Sequence, residues 1–204
     1  MKRKFTFQLF LFVLLCSSFS CQDHDLENGD IIFQTSKSSQ SQAIQLATHS
    51  KYSHMGILYE EKGRWYVFEA VGPVKLTALD EWIKRGEDSH FVVKRLKNAQ
   101  ELLSPETLRK MREVGKGYLG KNYDLHFEWS DERIYCSELV WKIYHEGAGI
   151  EIGELEKLGD FDLGNEIVQK KLAERYGTNL PLDEKVISPV SMFNSDKLVL
   201  VQSE

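Results

Sequence analysis

The strongest constraint on the fold lies between residues 54 and 71. Two runs rich in apolar and aromatic residues, 54–60 and 64–71, are separated by a short polar stretch containing Lys62-Gly63. Runs this close, joined by a glycine-bearing turn, pair as an antiparallel hairpin. Closure around Glu61-Lys62 places Glu60 opposite Gly63, Leu58 opposite Trp65 and His54 opposite Glu69. Directly opposed residues share one face of the sheet with their Cβ atoms about 5 Å apart. A slip of one residue would send His54 and Glu69 to opposite faces. Glu69 stands in the apolar run Val67-Phe68-Glu69-Ala70. Burying a carboxylate there unpaired costs several kcal/mol, so a partner is expected for it. The bland alternatives are an exposed edge position for Glu69 and a satisfied core or surface histidine for His54.

The rest of the chain supplies partners for this hairpin. Residues 30–34 read as a buried strand. The Ser/Gln-rich stretch 36–42 leads into a short helix over 43–48. A helix over 78–85 ends at Gly86, and a strand follows over 91–96. Ser104-Pro105-Glu106 combines an N-cap, a proline at the first helical position and an acid at the positive dipole end. It starts a helix running to about Tyr118. A helix over 136–146 carries Leu139, Val140, Ile143 and Tyr144 on one face, with Gly147 as its stop. Another helix spans 165–176, and 197–201 is a closing strand. The fold class is α+β: an antiparallel sheet packed against helices.

The first twenty residues read as an export signal. Lys2, Arg3 and Lys4 are followed by a short, mostly apolar run over 5–15, then by small residues and Cys21. The run is too short to span a bilayer. A cysteine at this point, followed by the polar stretch Gln22-Asp23-His24-Asp25, resembles a lipoprotein signal with Cys21 as the lipidated residue. The preceding Ser18-Phe19-Ser20 departs from the usual box, so simple cleavage and secretion, or an uncleaved anchor, stay open. Two or more acyl chains would suffice for stable attachment to a membrane. The expected layout is a signal over 1–20, a polar tether over 21–27 and one domain over 28–204.

The charge balance excludes several function classes. Lys+Arg number 26 against 31 Asp+Glu, so no basic excess points to nucleic acid. Losing the three positive charges of the leader moves the net charge from −5 to −8, so membrane contact would come from lipid alone. Three cysteines make no disulfide framework. With Cys16 in the leader and Cys21 at its end, Cys136 is left as a lone thiol. It sits in Ile134-Tyr135-Cys136-Ser137-Glu138, where a loop enters a helix. A helix N-terminus stabilises a thiolate and offers backbone N–H groups to an oxyanion. The alternative is a small buried thiol, as most free cysteines are. A thiol nucleophile needs a base and a group that orients it. His54 and Glu69 are the candidates.

Here the chain resembles a known family. Asn28-Gly29-Asp30-Ile31-Ile32-Phe33-Gln34, Ser53-His54-Met55-Gly56-Ile57, Phe68-Glu69-Ala70, Tyr123-Asp124 and Tyr135-Cys136-Ser137-Glu138-Leu139-Val140 occur in the order seen in YiiX-like permuted papain-like enzymes. These belong to the NlpC-type cysteine peptidase and amidase superfamily. In the permuted branch the histidine strand comes first and the cysteine helix last. The resemblance covers about residues 28–145 and extends loosely to Ser188-Pro189. It implies a circularly permuted papain-like fold, with Cys136 as nucleophile, His54 as general base and acid, and Glu69 orienting the imidazole. It makes Tyr123 a candidate for substrate or oxyanion contact, against the alternative of a packing tyrosine.

The expected activity is hydrolysis of an amide bond through an acyl-enzyme. The substrate would be a cell-wall peptide, or an N-acyl compound, met in the cell envelope. The rivals are a lipid amidase or acyltransferase and a catalytically idle binding lipoprotein. A greasy groove beside Cys136 would favour an acyl substrate and a polar cleft a peptide. His126, following Tyr123-Asp124, is the best further site candidate. His49 has no acid opposite it, His90 precedes a strand, and His145 complements a helix C-terminus. No metal-ligand spacing and no phosphate loop is found, so no metal, cofactor or nucleic-acid partner is expected.

Overall fold

A computed structural model describes residues 26–204; the leader and Cys21 lie outside the described residues. The chain opens with β1 (Ile31–Ser36), α1 (Ser39–Thr48), β2 (His54–Glu61), β3 (Arg64–Ala70), β4 (Val74–Ala78), α2 (Leu79–Arg85) and β5 (Gly86–Leu96). It continues through the short α3 (Ala99–Leu102), α4 (Pro105–Tyr118), α5 (Cys136–Ala148), β6 (Glu156–Lys157), α6 (Glu166–Tyr176), β7 (Lys185–Val186), α7 (Pro189–Phe193) and β8 (Leu198–Ser203). Six strands form one sheet in the order β4-β3-β2-β1-β5-β8, and every neighbouring pair is antiparallel. This is the expected α+β arrangement. Among the described residues, no helix is long and apolar enough to cross a membrane.

The central hairpin forms, but in a different register. The turn is Lys62-Gly63, both with positive φ (53° and 78°), which gives Glu61 opposite Arg64 and Ile57 opposite Phe68. Two positive-φ residues are the signature of the tight turn whose twist matches that of the strands, and glycine adopts such angles without a Cβ clash. The expected pairing was therefore two residues out. Because the side-chain period of a strand is also two, His54 and Glu69 keep a common face. They meet diagonally, and the same register sets Gly56 against Glu69. A Cβ on Gly56 would lie 2.4 Å from Val67 Cγ1 and 2.7 Å from the Phe68 carbonyl oxygen, so this crossing tolerates only glycine.

The sheet buries both faces. On one, Ile31, Phe33, Met55, Ile57 and Phe68 pack under α5 and α4, chiefly against Leu139, Val140, Ile143 and Met111. On the other, Ile32, Leu58, Val67 and Val93 surround Trp82 of α2. Leu26 joins this second cluster, and Glu27 pairs with Arg95 at 2.7 Å. The end of the expected tether is thus part of the packed domain.

Helix ends follow local chemistry. Ser104 caps α4 by accepting from Thr107 N at 3.1 Å, and Asn165 caps α6 by accepting from Ile167 N at 2.9 Å. The α5 stop differs from expectation. Gly147 is inside the helix, and Gly149 (φ 70°) ends it. Gly147 instead permits close contact with α4: a Cβ there would lie 2.6 Å from Met111 Cα and 2.9 Å from Met111 N. Gly147→Ala must push the two helices apart. The expected cost of such overpacking is about 1–3 kcal/mol. It would be read as a thermal midpoint lower by roughly 2–4 °C per kcal/mol. An unchanged midpoint would show that this interface yields freely.

Candidate active site

β2 begins at His54, so the imidazole stands at the strand's end, beside the start of α5. By the two-residue alternation His54 shares the face of Leu58, the side covered by Trp82. Its Nε2 meets Glu69 Oε2 at 2.6 Å, and its ring stacks on Trp82 with centroids 5.9 Å apart. That leaves Nδ1 for the Cys136 thiol, to which the imidazole is hydrogen-bonded. The ring thus links the two faces of the sheet: Glu69 on the α2 side, Cys136 on the α5 side.

Glu69 is completely buried. Both its oxygens are doubly engaged. Oε2 accepts from His54 and from Trp82 Nε1 (2.9 Å). Oε1 accepts from Thr77 Oγ1 (2.6 Å) and from Arg85 (2.5 Å). Burial alone would raise this carboxyl's pKa. The bond and charge of His54, with Thr77 and Arg85, outweigh it and hold the group down at about 2. Burial likewise disfavours the imidazolium, but Cys136 and Glu69 override it and push His54 up to about 9.

Cys136 is 2% exposed and occupies the first turn of α5. Burial raises a thiol's pKa. The His54 bond and charge, a backbone hydrogen bond from Met55 and the Tyr123 hydroxyl bring it below its ordinary value. Glu138 Oε2 accepts the N–H of Tyr135 at 3.4 Å and so fixes the entry into the helix. Ser137 Oγ donates to Ile187 O at 2.7 Å, and Ile187 N donates to the Tyr135 hydroxyl at 3.0 Å. These two bonds bind the segment before α7 to the cysteine turn, where Ser188 caps α7.

The four residues singled out in the sequence therefore converge. Tyr123 lines the same cavity as Cys136 and accepts from Gln40 Nε2 at 3.1 Å. Burial, together with the neighbouring thiol, holds its hydroxyl well above the usual pKa, so it remains a protonated donor. Its position is set by Asp124, fully buried, whose oxygens accept from His126 N (2.9 Å) and Glu128 N (2.7 Å).

Other histidines stay apart. His126 packs edge-on against Tyr176 and is absent from the walls of the cavity at Cys136. His49 has an acid after all, Asp162, at 3.3 Å, brought from far along the chain to an exposed position. His90 bonds to Lys51 at 3.1 Å, and His145 stacks on Trp141 near the end of α5. Sequence reasoning missed Thr77, Trp82, Arg85 and Gln40. Only Gln40 lay in a segment with a visible signal, the Ser/Gln-rich stretch before α1.

Above Cys136, between α1 and α6, the surface dips into a cavity. Its walls are mostly apolar, with Ala43, Ile44, Phe127, Leu163, Leu172 and Val186 among them. Cys136 and Tyr123 line it as well.

Comparison with known proteins identifies the family. Residues 25–202 match the model of a family described as "Permuted papain-like amidase enzyme, YaeF/YiiX, C92 family". The chain is 52% identical over 178 residues to the uncharacterized protein YiiX of Escherichia coli (strain K12), covering 87% of each. It is also similar, at a TM-score of 0.83 and 53% identity, to a crystal structure described as metalloprotein YiiX from Escherichia coli O157:H7. That match covers 87% of this chain and 97% of the other. The chain thus belongs to the permuted papain-like amidase family of YaeF/YiiX type and is an amide-hydrolysing enzyme of the cysteine peptidase and amidase kind.

Proposed function

We propose that the enzyme hydrolyses the amide bond of N-acyl compounds through a Cys136-His54-Glu69 triad. The observation that carries this reading is the apolar cavity that opens directly onto the thiol. A cell-wall peptide would set charged and amide groups against Ala43, Ile44, Leu172 and Val186, leaving them unsatisfied. An acyl chain buries apolar surface there at about 25 cal/mol per Å².

The chemistry follows from the proton positions. With His54 charged and the thiol ionised, the Cys136 sulfur attacks the acyl carbonyl carbon and the C=O electron pair moves to oxygen. The N-terminal amides of α5 and the Tyr123 hydroxyl, oriented by Gln40, face that developing charge. The imidazolium gives its proton to the nitrogen as the C–N bond breaks, releasing an amine and leaving a thioester on Cys136. Neutral His54 then takes a proton from water, whose oxygen attacks the thioester carbon. The C–S bond breaks, and the carboxylic acid and the thiolate–imidazolium pair are regenerated. Glu69 holds Nε2 throughout, so Nδ1 stays aimed at the sulfur.

A metal fits this site poorly. Among the described residues, no three His, Cys, Asp or Glu side chains are grouped to hold one, and each Glu69 oxygen already accepts two hydrogen bonds. The leader and Cys21 support a location at the cell envelope, held to a membrane by lipid, where acyl substrates partition.

The test is incubation of the protein with N-acyl amino acids and, separately, with cell-wall muropeptides, read by mass spectrometry. Release of free fatty acid with a transient acyl adduct on Cys136 is the expected result. Cleavage of muropeptides with N-acyl compounds untouched would sink the acyl reading.

A further inference from the structure

One cation in the cavity wall has no counter-ion among the described residues. Arg175, near the end of α6, lines the same cavity as Cys136 and Tyr123. Its guanidinium lies 5.1 Å from the centre of the Phe127 ring, half-buried. Arg85, Arg95, Arg109, Arg112 and Arg133 each meet a carboxylate. Arg175 meets none. The acids close to it are already engaged. Glu174 takes Lys171 at 2.6 Å, and Asp124 spends its oxygens on the backbone N–H groups of His126 and Glu128. Burial works against the charge of this guanidinium and lowers its pKa. An unpaired, half-buried cation in an apolar wall is costly to keep unless something pairs with it in use.

Arginine is the side chain suited to that use. Its planar fork donates two parallel hydrogen bonds to a carboxylate or phosphate. It also stacks on an aromatic ring without losing those donors. Phe127 provides the ring, and Tyr123 links the neighbourhood of Arg175 to the thiol.

We infer that Arg175 is the anion-recognition residue of this cavity, and that the substrates are acidic N-acyl amphiphiles. The acyl chain occupies the apolar walls, and a carboxylate or phosphate on the amine half, a few bonds from the scissile amide, is held by Arg175. The inference rests on the N-acyl reading above and narrows it. Hydrolysis would release a fatty acid and a small acidic amine, such as an amino acid or an aminoalkyl phosphate.

Two measurements test it separately from the hydrolytic reading. The first is binding to Cys136→Ala protein, which needs no turnover. N-octanoylglycine is compared with its neutral twin N-octanoylglycinamide and with N-octanoyl phosphoethanolamine. A charge-assisted pair should favour the anionic ligand by roughly 10- to 100-fold in Kd. Adding Arg175→Met should collapse that ratio to about one, and Arg175→Lys should restore part of it. Preference for the carboxylate over the phosphate, or the reverse, identifies which anion the site takes. The second is the ratio of kcat/KM for the same ligands with Cys136 intact, which should collapse in the same way. Equal binding of charged and neutral ligands, no binding of any, or a preference that survives Arg175→Met would overturn the role of Arg175. Charge-dependent binding without any hydrolysis would leave Arg175 as the anion site and remove the amidase reading instead.

Discussion

Cys136→Ala is expected to lower amide hydrolysis by about 10⁴-fold or more, to the level of residual positioning by the site. The fold should survive. The thiol is small and buried, and removing one heavy atom from such a place costs about 1 kcal/mol. Its helix keeps Glu138 at the entry and Gly149 at the exit. Turnover and a thermal melt on the same preparation check both halves. Hydrolysis at the wild-type rate by a well-folded Cys136→Ala protein would end the nucleophile assignment. A loss of both activity and fold would call for Cys136→Ser, which keeps the volume and withdraws only the thiolate.

The second large effect is expected at Glu69. Glu69→Gln keeps the shape but removes the charge that His54 and Arg85 share, and its amide cannot accept all four donors. Breaking a buried pair by neutralising one partner costs about 3–5 kcal/mol. The rate should fall by roughly 10²–10⁴-fold, because the imidazole loses both its orientation and the stabilisation of its charged form.

The pH dependence gives this prediction a signature. Glu69 is held down at about 2 from an ordinary 4.5, so its contribution is complete above 4.5 and is lost as the pH falls toward 2. His54 is pushed up to about 9 from 6.5, so its contribution is complete below 6.5 and is lost as the pH rises through 9. The two windows overlap between about pH 4.5 and 6.5, where the pairing of His54 with Glu69 has its full effect. Denaturant melts of wild type and Glu69→Gln should therefore differ most there, converge as the pH falls toward 2, and keep above pH 9 only the part that Arg85 and the other donors share. A difference that is flat across the range would mean that packing, rather than charge, accounts for the loss.

Much of this site was legible because it is local. His54 and Glu69 sit on adjacent strands joined by a two-residue turn, so strand periodicity was enough to put them on one face. The two-residue error in register came from placing the turn at Glu61-Lys62. Left-handed angles are needed at both turn positions, and Gly63 takes the second of them. The remaining Glu69 partners were hidden because they arrive through tertiary packing. Thr77 comes through the β3–β4 pairing, and Trp82 and Arg85 from a helix docked on the outer face. Gln40 meets Tyr123, and Arg175 joins the cavity wall, because α1 and α6 pack together across most of the chain's length. Gly147 misled for a related reason. A glycine near a helix end is a stop signal in sequence, but here its missing Cβ serves a neighbouring helix.

The imidazole that links the two faces of the sheet also sets when the enzyme becomes dangerous to its surroundings. The acid–base half is written into sixteen residues of sequence and closes with a hairpin, among the earliest structures a chain forms. The thiol arrives later, on α5, and has an ordinary pKa until that helix docks against the start of β2. A chain that is still folding, or that has misassembled, therefore carries a sluggish cysteine. Electrophile reactivity switches on with the last layer of the domain, so the completed fold is its own activation step.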